Sequence, residues 1–228
     1  MNMGSGLLMI DFQRDFCAPG GYSDRCGGID WVTPILPQAK RLLESARALG
    51  VCVVHTREGY APDLSDLHPE RLERSRAAGA AYGSHGPMGR LMIRGEYGQD
   101  IIDELKPAPG ETVLDKASYG AFYGSNLEDI LRQAGVRRLA IAGVTADVCV
   151  HTTLREATDR GFDCHYVKDA ISTFDPEVRR ACEIMVEQEG GIWGNLVTVD
   201  QMIELWKSTG VNSPCKSSIT MAECPSGN

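Results

Sequence analysis

The stretch that decides the fold reads Leu139-Ala-Ile-Ala-Gly143-Val-Thr-Ala-Asp-Val-Cys149-Val-His-Thr-Thr-Leu-Arg155. Its first four residues are small and apolar, which is typical of a strand that helices cover on both faces. The chain then breaks at Gly143 and restarts as a helix whose first turn holds Cys149. Free backbone N–H groups and the helix dipole at such a turn favour a thiolate. A lone buried cysteine is more often a small packing residue, so partners elsewhere must decide its role.

Further apolar runs on both sides of this stretch predict a sheet. The predicted strands cover residues 7–11, 51–55, 112–116, 139–142, 163–168 and part of 190–199. Helical spacing or helix start signals lie between most of them, so strands alternate with helices. This alternation predicts an α/β fold with a single doubly wound, mostly parallel six-stranded sheet and helices on both faces.

Three of the predicted strands lead into residues that carry reactive groups. Asp11 and Lys116 end the first and third strands, and Cys149 follows the fourth. Each alone has an ordinary explanation, since aspartate often caps a turn and lysine is usually solvated. Because ligand sites of doubly wound sheets lie beyond the carboxyl ends of the strands, the three are expected to meet. A thiol with a carboxylate and an ammonium beside it has the parts of a nucleophilic catalyst.

Composition limits the possible partners. The chain has 228 residues and a formal net charge of -8, without a run of lysine and arginine, which argues against nucleic acid and anionic membranes. We expect one domain over residues 1–206 and a polar tail over residues 207–228. The start lacks signal-peptide features, no segment approaches membrane-spanning length, and the eight cysteines show no paired CxxC spacing. A cytoplasmic protein with a small-molecule partner is therefore predicted.

Several common site motifs are missing from the sequence. It contains no GxSxG, no HExxH, and no GxGxxG after the first strand. A non-catalytic module that binds a nucleotide or flavin stays an alternative of another class, although the glycine-rich phosphate loop is missing.

Three motifs together resemble a known family. Asp11 in Asp-Phe-Gln-Arg-Asp-Phe, Lys116 after Val-Leu-Asp, and Gly143-Val-Thr-Ala-Asp-Val-Cys149 are similar to the triad motifs of the isochorismatase-like cysteine hydrolases. The resemblance covers about residues 7–206. It implies that Asp11 is the base, that Lys116 stabilises the charges, and that Cys149 is the nucleophile. It further implies a cis peptide at Val144-Thr145 and an oxyanion hole formed by the backbone N–H groups of Thr145 and Cys149.

Other segments are similar to one branch of that family, the biuret hydrolases and their triuret- and ureidoacrylate-cleaving relatives. The segments are His55-Thr-Arg-Glu-Gly-Tyr-Ala-Pro-Asp63-Leu, the 86–90 turn, Arg94-Gly-Glu96, and Gly190-Gly-Ile-Trp-Gly. The likeness implies hydrolysis of a linear amide C–N bond in a ureide of the biuret or triuret type, through a thioester and with ammonia release. Cleavage of ureidoacrylate, of an N-carbamoyl compound, or of a nicotinamide-like amide is the alternative.

The resemblance also suggests pocket residues and a metal-free site. Candidates for contact with the substrate are Phe16, Tyr119, Phe122 and Glu189, and core packing is the alternative for each. Tyr119 and Glu189 depart from the branch, which tends to have lysine and glutamine there. The segment after the second strand has a single aspartate and no histidine cluster like that of the metal-binding nicotinamidases, so no metal and no cofactor are expected. The family usually forms homo-oligomers, and a dimer or tetramer is expected.

Overall fold

The computed structural model describes residues 4–209. The strands in this part of the chain are β1 (Gly4–Ile10), β2 (Cys52–Glu58), β3 (His85–Gly86), β4 (Gly89–Arg90), β5 (Thr112–Lys116), β6 (Val136–Val144), β7 (Asp163–Ser172) and β8 (Asn195–Val197). The α-helices are α1 (Arg14–Cys17), α2 (Tyr22–Gly27), α3 (Leu36–Leu49), α4 (Pro69–Ala77), α5 (Leu127–Gln133), α6 (His151–Asp159), α7 (Pro176–Gly191) and α8 (Val199–Thr209). Short 3₁₀ helices occur at Thr33–Ile35 and Asp103–Leu105, and a π-helical turn, Ala146–Val150, leads into α6.

Six strands form one parallel sheet in the order β5-β2-β1-β6-β7-β8. The chain builds outward from β1 through β2 to β5, and it then returns to the other side of β1 as β6. Such a reversal is a switch point, where a crevice opens at the carboxyl ends of the strands. The predicted doubly wound sheet of six strands is confirmed. The short strands β3 and β4 form a separate antiparallel pair.

The central strand β1 separates two hydrophobic layers. Leu7 and Met9 pack into the layer that contains α3 and α8, where the Trp206 side chain is fully buried. Leu8 and Ile10 pack on the opposite face against residues of α5, α6 and α7. Every residue of β1 is buried, as expected of a strand covered on both faces. The end of β1 is therefore a rigid position from which to present a reactive side chain.

Three strands run further toward their carboxyl ends than the sequence predicts. The strand β2 continues past His55 to Glu58, β6 continues past Ala142 to Val144, and β7 continues past residue 168 to Ser172. The extra residues of β2 include Thr56 and Glu58, whose side chains are polar and yet buried. Hydrophobic patterning cannot identify such residues as part of a strand, because it assigns buried strand positions from apolar side chains.

Helix α4 lies between β2 and β3, in a segment for which the sequence predicts no strand. Most of its residues are charged, and Ser75 is its buried side chain, so it has no apolar face to reveal it. Pro69 occupies its first turn, where proline is well tolerated. The helix is fixed to the site through Arg71, whose Nη1 donates a hydrogen bond of 2.7 Å to the carbonyl of Ala117.

The last described helix extends beyond the predicted domain boundary. Helix α8 ends at Thr209, whereas the boundary was expected at residue 206. The predicted polar tail lies outside the described residues from position 210 onward. Within residues 4–209, none of the helices combines the length and apolar character needed to cross a membrane.

At Gly143 the backbones of β6 and β1 lie so close together that no residue with a Cβ atom fits. Its φ is 148°, and a Cβ added there would lie 2.3 Å from the carbonyl oxygen of Ile10. We expect Gly143→Ala to lower the free energy of unfolding by about 1–3 kcal/mol more than a control that has backbone strain alone. The control is Gly161→Ala, at φ 76° and with nothing within 4 Å of the added Cβ. Urea denaturation measures both, and equal losses would contradict the steric argument.

Candidate active site

The structure brings together the three predicted catalytic residues at the switch point. The Lys116 Nζ lies 2.8 Å from Oδ2 of Asp11, and both side chains are fully buried. The Cys149 Sγ lies within 4.8 Å of carboxylate oxygens of Asp11 and Glu58. These four side chains, Asp11, Glu58, Lys116 and Cys149, are called the buried cluster below. It contains a thiol, two carboxylates and an ammonium with almost no exposure to solvent.

Asp11 is held by both its backbone and its carboxylate. It adopts a left-handed conformation with φ of 53°, which aspartate tolerates better than most residues, directly after the last residue of β1. Its backbone N–H donates to the carbonyl of Thr56. The Thr56 hydroxyl in turn donates a hydrogen bond of 2.6 Å to Oδ1, while Lys116 contacts Oδ2. The Asp11 carboxylate is therefore held by a hydrogen bond on one oxygen and by an ion pair on the other.

Lys116 makes three short polar contacts inside the protein. In addition to the ion pair with Asp11, its Nζ donates hydrogen bonds to the carbonyls of Ser118, at 2.9 Å, and Tyr119, at 3.0 Å. Burial lowers the pKa of this ammonium, but the nearby carboxylates of Asp11 and Glu58 raise it, and the net pKa lies above its ordinary value. Lys116 therefore stays protonated and provides the positive charge of the cluster.

Glu58 is a member of the cluster that sequence reasoning missed. Its Oε2 accepts a hydrogen bond of 3.3 Å from the Cys149 thiol and lies 3.7 Å from the Lys116 ammonium. The Tyr60 hydroxyl donates to Oε1 at 3.0 Å. The Gln13 side chain pairs with the backbone N–H and C=O of Glu58, each at 2.7 Å, and so holds the strand end in place. The signal that identifies Asp11 and Lys116, a charged residue at a strand end, applies to Glu58 once β2 is given its full length.

Cys149 lies near the N-terminus of a helix as predicted, but its surroundings oppose ionisation. Burial raises the pKa of the thiol well above its ordinary value; the charges of Asp11 and Glu58 raise it further, while Lys116 lowers it. The expectation that the helix end favours the thiolate is therefore wrong for the resting protein. The dipole of one short turn is outweighed by burial and two nearby carboxylates. Formation of a thiolate at this position would therefore require proton transfer within the cluster.

The residues implied to form the oxyanion hole lie on the turn after β6. The Val144-Thr145 peptide bond is cis, and Thr145 precedes the π-helical turn that holds Cys149. The Thr145 carbonyl accepts backbone hydrogen bonds from Val148, at 3.3 Å, and Val150, at 3.1 Å. The His151 side chain contacts the carbonyl of Cys182 on α7.

The loop after Lys116 carries two of the predicted pocket residues, and α6 holds this loop. The Glu156 carboxylate accepts a hydrogen bond from the backbone of Phe122, and the Thr153 hydroxyl accepts one from Ala121. Phe122 is buried in the same hydrophobic layer as Cys149. Tyr119 is half-buried, and the guanidinium carbon of Arg71 lies 4.1 Å from its ring centroid.

The other two predicted pocket residues lie differently. Phe16 is buried in the layer on the α3 side, where its ring packs edge-on against Tyr22. Glu189 is exposed and has a left-handed conformation at the kink near the end of α7. No hydrogen bond or salt bridge links its side chain to the cluster among the described residues, so the structure does not bring it to the predicted triad.

The cluster has ligand atoms spaced as a metal ion would require, but it already contains a cation. Asp11, Glu58 and Cys149 form the group of described residues whose ligand atoms are close enough to hold a metal. The Lys116 ammonium lies 2.8 Å and 3.7 Å from the two carboxylates and would repel a divalent ion. The arrangement suits proton transfer to and from a thiol.

Comparisons with known proteins place the chain in a family. The isochorismatase domain matches residues 5–193. The ureidoacrylate amidohydrolase RutB of Caulobacter segnis is 31% identical over 192 residues, which cover 80% of this chain and 79% of that protein. A cysteine hydrolase from Pseudomonas syringae pv. phaseolicola has the same fold, with a TM-score of 0.77 at 22% identity over 92% of this chain and 95% of its own. The N-carbamoylsarcosine amidase of Thermoplasma acidophilum has a TM-score of 0.66 at 25% identity, over 87% of this chain and 98% of its own. The chain belongs to the isochorismatase family, as its motifs predict.

Proposed function

We propose that the protein is a cysteine amidohydrolase that cleaves a C–N bond of a small ureide through a thioester and releases ammonia. The observation that carries this proposal is the buried cluster, in which a thiol contacts a carboxylate and a second carboxylate is paired with a lysine. These are the groups that acyl transfer through a nucleophile needs. The similarity to amidohydrolases in sequence supports an amide as the bond that is attacked.

The reaction follows from the roles of these groups. A carboxylate, Asp11 in the mechanism that the family resemblance implies, takes the proton of Cys149, and the thiolate attacks the ureide carbonyl. Backbone N–H groups of Thr145 and Cys149 are the proposed donors to the oxyanion. The leaving nitrogen departs with a proton from a carboxylic acid of the cluster. Water then hydrolyses the thioester with Asp11 as the base, and Lys116 stabilises the charges and orients Asp11.

The motifs that resemble those of biuret hydrolases contribute mainly to the shape of one loop. The Arg90 guanidinium donates to the carbonyl of Pro62, and the Arg94 guanidinium donates to the carbonyl of Gly59 and pairs with Asp66. These contacts hold the loop after β2. The similarity in these motifs therefore supports a common loop structure, and it leaves biuret, triuret and other ureides as candidate substrates.

One charge near the cluster favours a ureide that carries a carboxylate. Arg71 is half-buried, and its Nη1 donates to the Tyr60 hydroxyl at 3.2 Å and to the Ala117 carbonyl. Among the described residues it forms no salt bridge, although arginine commonly pairs with carboxylates through two N–H groups. Tyr60 is the one residue between this guanidinium and Glu58. An anionic ureide, such as ureidoacrylate or an N-carbamoyl amino acid, is the second candidate, and the relative from Caulobacter segnis agrees with it.

Ammonia release from a panel of substrates tests whether the protein cleaves a ureide and whether it prefers an anionic one. The panel holds biuret, triuret, ureidoacrylate, an N-carbamoyl amino acid and nicotinamide, each assayed with the parent protein and with Arg71→Met. We expect saturable release from at least one ureide. If the substrate carries a carboxylate, Arg71→Met lowers the ratio of kcat/KM between anionic and neutral ureides by about ten- to a hundredfold, because one charge-assisted contact is lost.

The test compares kcat/KM for anionic and neutral ureides as a ratio. A structural change that is transmitted from Arg71 through Tyr60 to Glu58 would lower kcat/KM for all substrates equally and would leave this ratio unchanged. Arg74→Met is the matched control, since Arg74 is an exposed arginine on the same helix. An unchanged ratio in Arg71→Met would remove the argument for an anionic substrate and leave biuret or triuret. Hydrolysis of nicotinamide alone would contradict the ureide proposal.

A further inference from the structure

Helix α7 and its two ends carry an exposed apolar surface. Eight large apolar side chains are exposed among residues 4–209, and five of them fall between positions 174 and 192. Single exposed apolar residues are ordinary, whereas a contiguous group of them marks a contact site. We call this surface the α7 face, and its five large apolar members are Phe174, Val178, Ile184, Met185 and Ile192.

Only one side of α7 is used inside the described part of the protein. Cys182 and Val186 pack into the hydrophobic layer that also holds Cys149. The regular part of the helix ends at Glu187, because Gln188 has a non-helical ψ of 150°. This leaves about three turns of helix whose outer side is exposed to solvent.

The spacing of residues divides the α7 face into a centre and two edges. Ala181 and Ile184, three residues apart, lie away from the buried side, and both are exposed. Val178 and Met185, seven residues apart, form an apolar edge beside them. Because residues three, four and seven apart lie on one side of an α-helix, these four side chains form a continuous stripe along α7.

The edge on the other side of the centre is charged. Arg180 and Glu187 are also seven residues apart and occupy this edge. The Arg180 side chain is 66% exposed, and its Nη1 lies 3.5 Å from Glu183 of the same helix. Glu187 is exposed and has no hydrogen-bond or salt-bridge partner among residues 4–209. The edge therefore has a positive charge near its start and a negative charge near its end.

This pattern is complementary to itself when the helix is reversed. A two-fold axis perpendicular to a helix places the second copy antiparallel, so that each edge meets the same edge of the other copy. With the axis between positions 181 and 184, Arg180 lies beside Glu187 of the second copy, and Val178 lies beside Met185 of the second copy. A parallel pair would instead place the charged edge against the apolar edge.

The ends of the α7 face fit the same axis. Phe174 lies before the helix, and its ring packs at 4.7 Å from the ring of Trp31. Ile192 follows the kink at the other end of α7. Antiparallel pairing brings the Phe174 end of one copy to the Ile192 end of the other, so the apolar contact continues past both ends of the helix.

We propose that the α7 face binds a second copy of this chain, with the two α7 helices antiparallel about a two-fold axis. The contact centres on Ala181 and Ile184 and is flanked by two Arg180–Glu187 pairs. It goes beyond the proposed amidohydrolase activity and does not depend on it. The inner side of α7 contacts the helix that follows Cys149, since the His151 ring lies 3.1 Å from the Cys182 carbonyl, so the second copy packs behind the buried cluster.

Sedimentation velocity of the full chain at micromolar concentration tests the proposal without a substrate. We expect the parent to be a dimer or a larger even-numbered assembly, and Ile184→Lys to halve its mass. Symmetry places the new charge at the centre of the contact twice, which raises the dissociation constant on the order of 10²-fold or more. Val113→Lys is the matched control, because Val113 is exposed to a similar degree, 38% against 43%, but lies on β5.

Charge reversal tests the antiparallel arrangement itself. Arg180→Glu or Glu187→Arg alone places like charges together twice and should raise the dissociation constant about tenfold. The two substitutions in one chain restore opposite charges between the copies and should return the constant to within about threefold of the parent. The pair that Arg180 makes with Glu183 is lost in the double variant as well, so the recovery cannot come from within the helix.

Three results would overturn the proposal. A monomeric parent would mean that no second copy covers the α7 face. An assembly whose mass is unchanged in Ile184→Lys, with a folded far-UV circular dichroism spectrum, would place the interface elsewhere. A double charge variant that associates no better than the single variants would exclude the antiparallel pairing. Absence of ammonia release from every ureide is a separate result, which concerns the proposed activity and leaves this interface untouched.

Discussion

Replacing Cys149 with alanine is expected to reduce ammonia release on the order of 10⁴ to 10⁶-fold, the range found when a catalytic nucleophile is removed. Without the thiol no thioester forms, and water would have to attack the ureide directly. The buried cluster contains no second thiol that could form the thioester, since its other members are two carboxylates and an ammonium. The rate of ammonia release from the best ureide of the panel, compared at saturating substrate, measures the effect.

Cys182→Ala is the control for this experiment. Cys182 is also buried, at 1% exposure, and lies in the same hydrophobic layer as Cys149, but it has no place in the cluster. Its loss should cost about 1 kcal/mol of stability through the small cavity and leave the activity close to that of the parent. Ammonia release at the parent rate by Cys149→Ala would end the case for a cysteine hydrolase. A folded far-UV circular dichroism spectrum for both variants makes the comparison valid.

The positions of Asp11, Lys116 and Cys149 could be predicted from the sequence because they depend on topology. An apolar run that ends on a charged residue marks a strand end, and parallel strands place such ends at one edge of the sheet. The strand β5 begins and ends at the predicted residues, Thr112 and Lys116. No detail of side-chain packing was needed to expect these groups near one another.

The position of Glu58 could not be predicted in the same way. The segment from Thr56 to Glu58 is polar, so an apolar pattern stops at His55 although the strand continues. What keeps Glu58 in the sheet is non-local, since Gln13 pairs with its backbone and β5 pairs with its strand. A single sequence does not show such pairings.

The protonation state of Cys149 shows a second limit of sequence reasoning. The helix end was visible in the sequence, and it correctly suggests a favourable local field for the thiolate. Burial and the charge of Glu58 were not visible, and they outweigh that field. Glu189 illustrates the same limit, because its place in a kinked, exposed helix end depends on how α7 terminates.

Replacing Lys116 with methionine is expected to lower the free energy of unfolding by about 3–5 kcal/mol and to abolish measurable activity. The substitution keeps most of the side-chain volume, but it removes the positive charge that, among residues 4–209, contacts both carboxylates of the cluster. Two uncompensated buried carboxylates then remain. Chemical denaturation measures the loss, and Lys207→Met is the control, because Lys207 forms an exposed pair with Glu204 and should change stability by no more than about 0.5 kcal/mol.

The pH dependence of the Lys116→Met variant separates lost charge from lost packing. Without the ammonium, the folded-state pKa of Glu58 rises further above its ordinary value of 4.5. A group with a raised folded-state pKa contributes stability that is fully present below its unfolded-state pKa and is lost as the pH rises through the folded-state pKa. The loss of stability relative to the parent should therefore be small below about pH 4 and grow toward neutral pH.

Adding Glu58→Gln to Lys116→Met removes one of the two uncompensated buried charges and should restore part of the stability at neutral pH. A deficit that is independent of pH and unaffected by the second substitution would mean that Lys116 stabilises the fold through its packing, and that the two carboxylates do not need its charge.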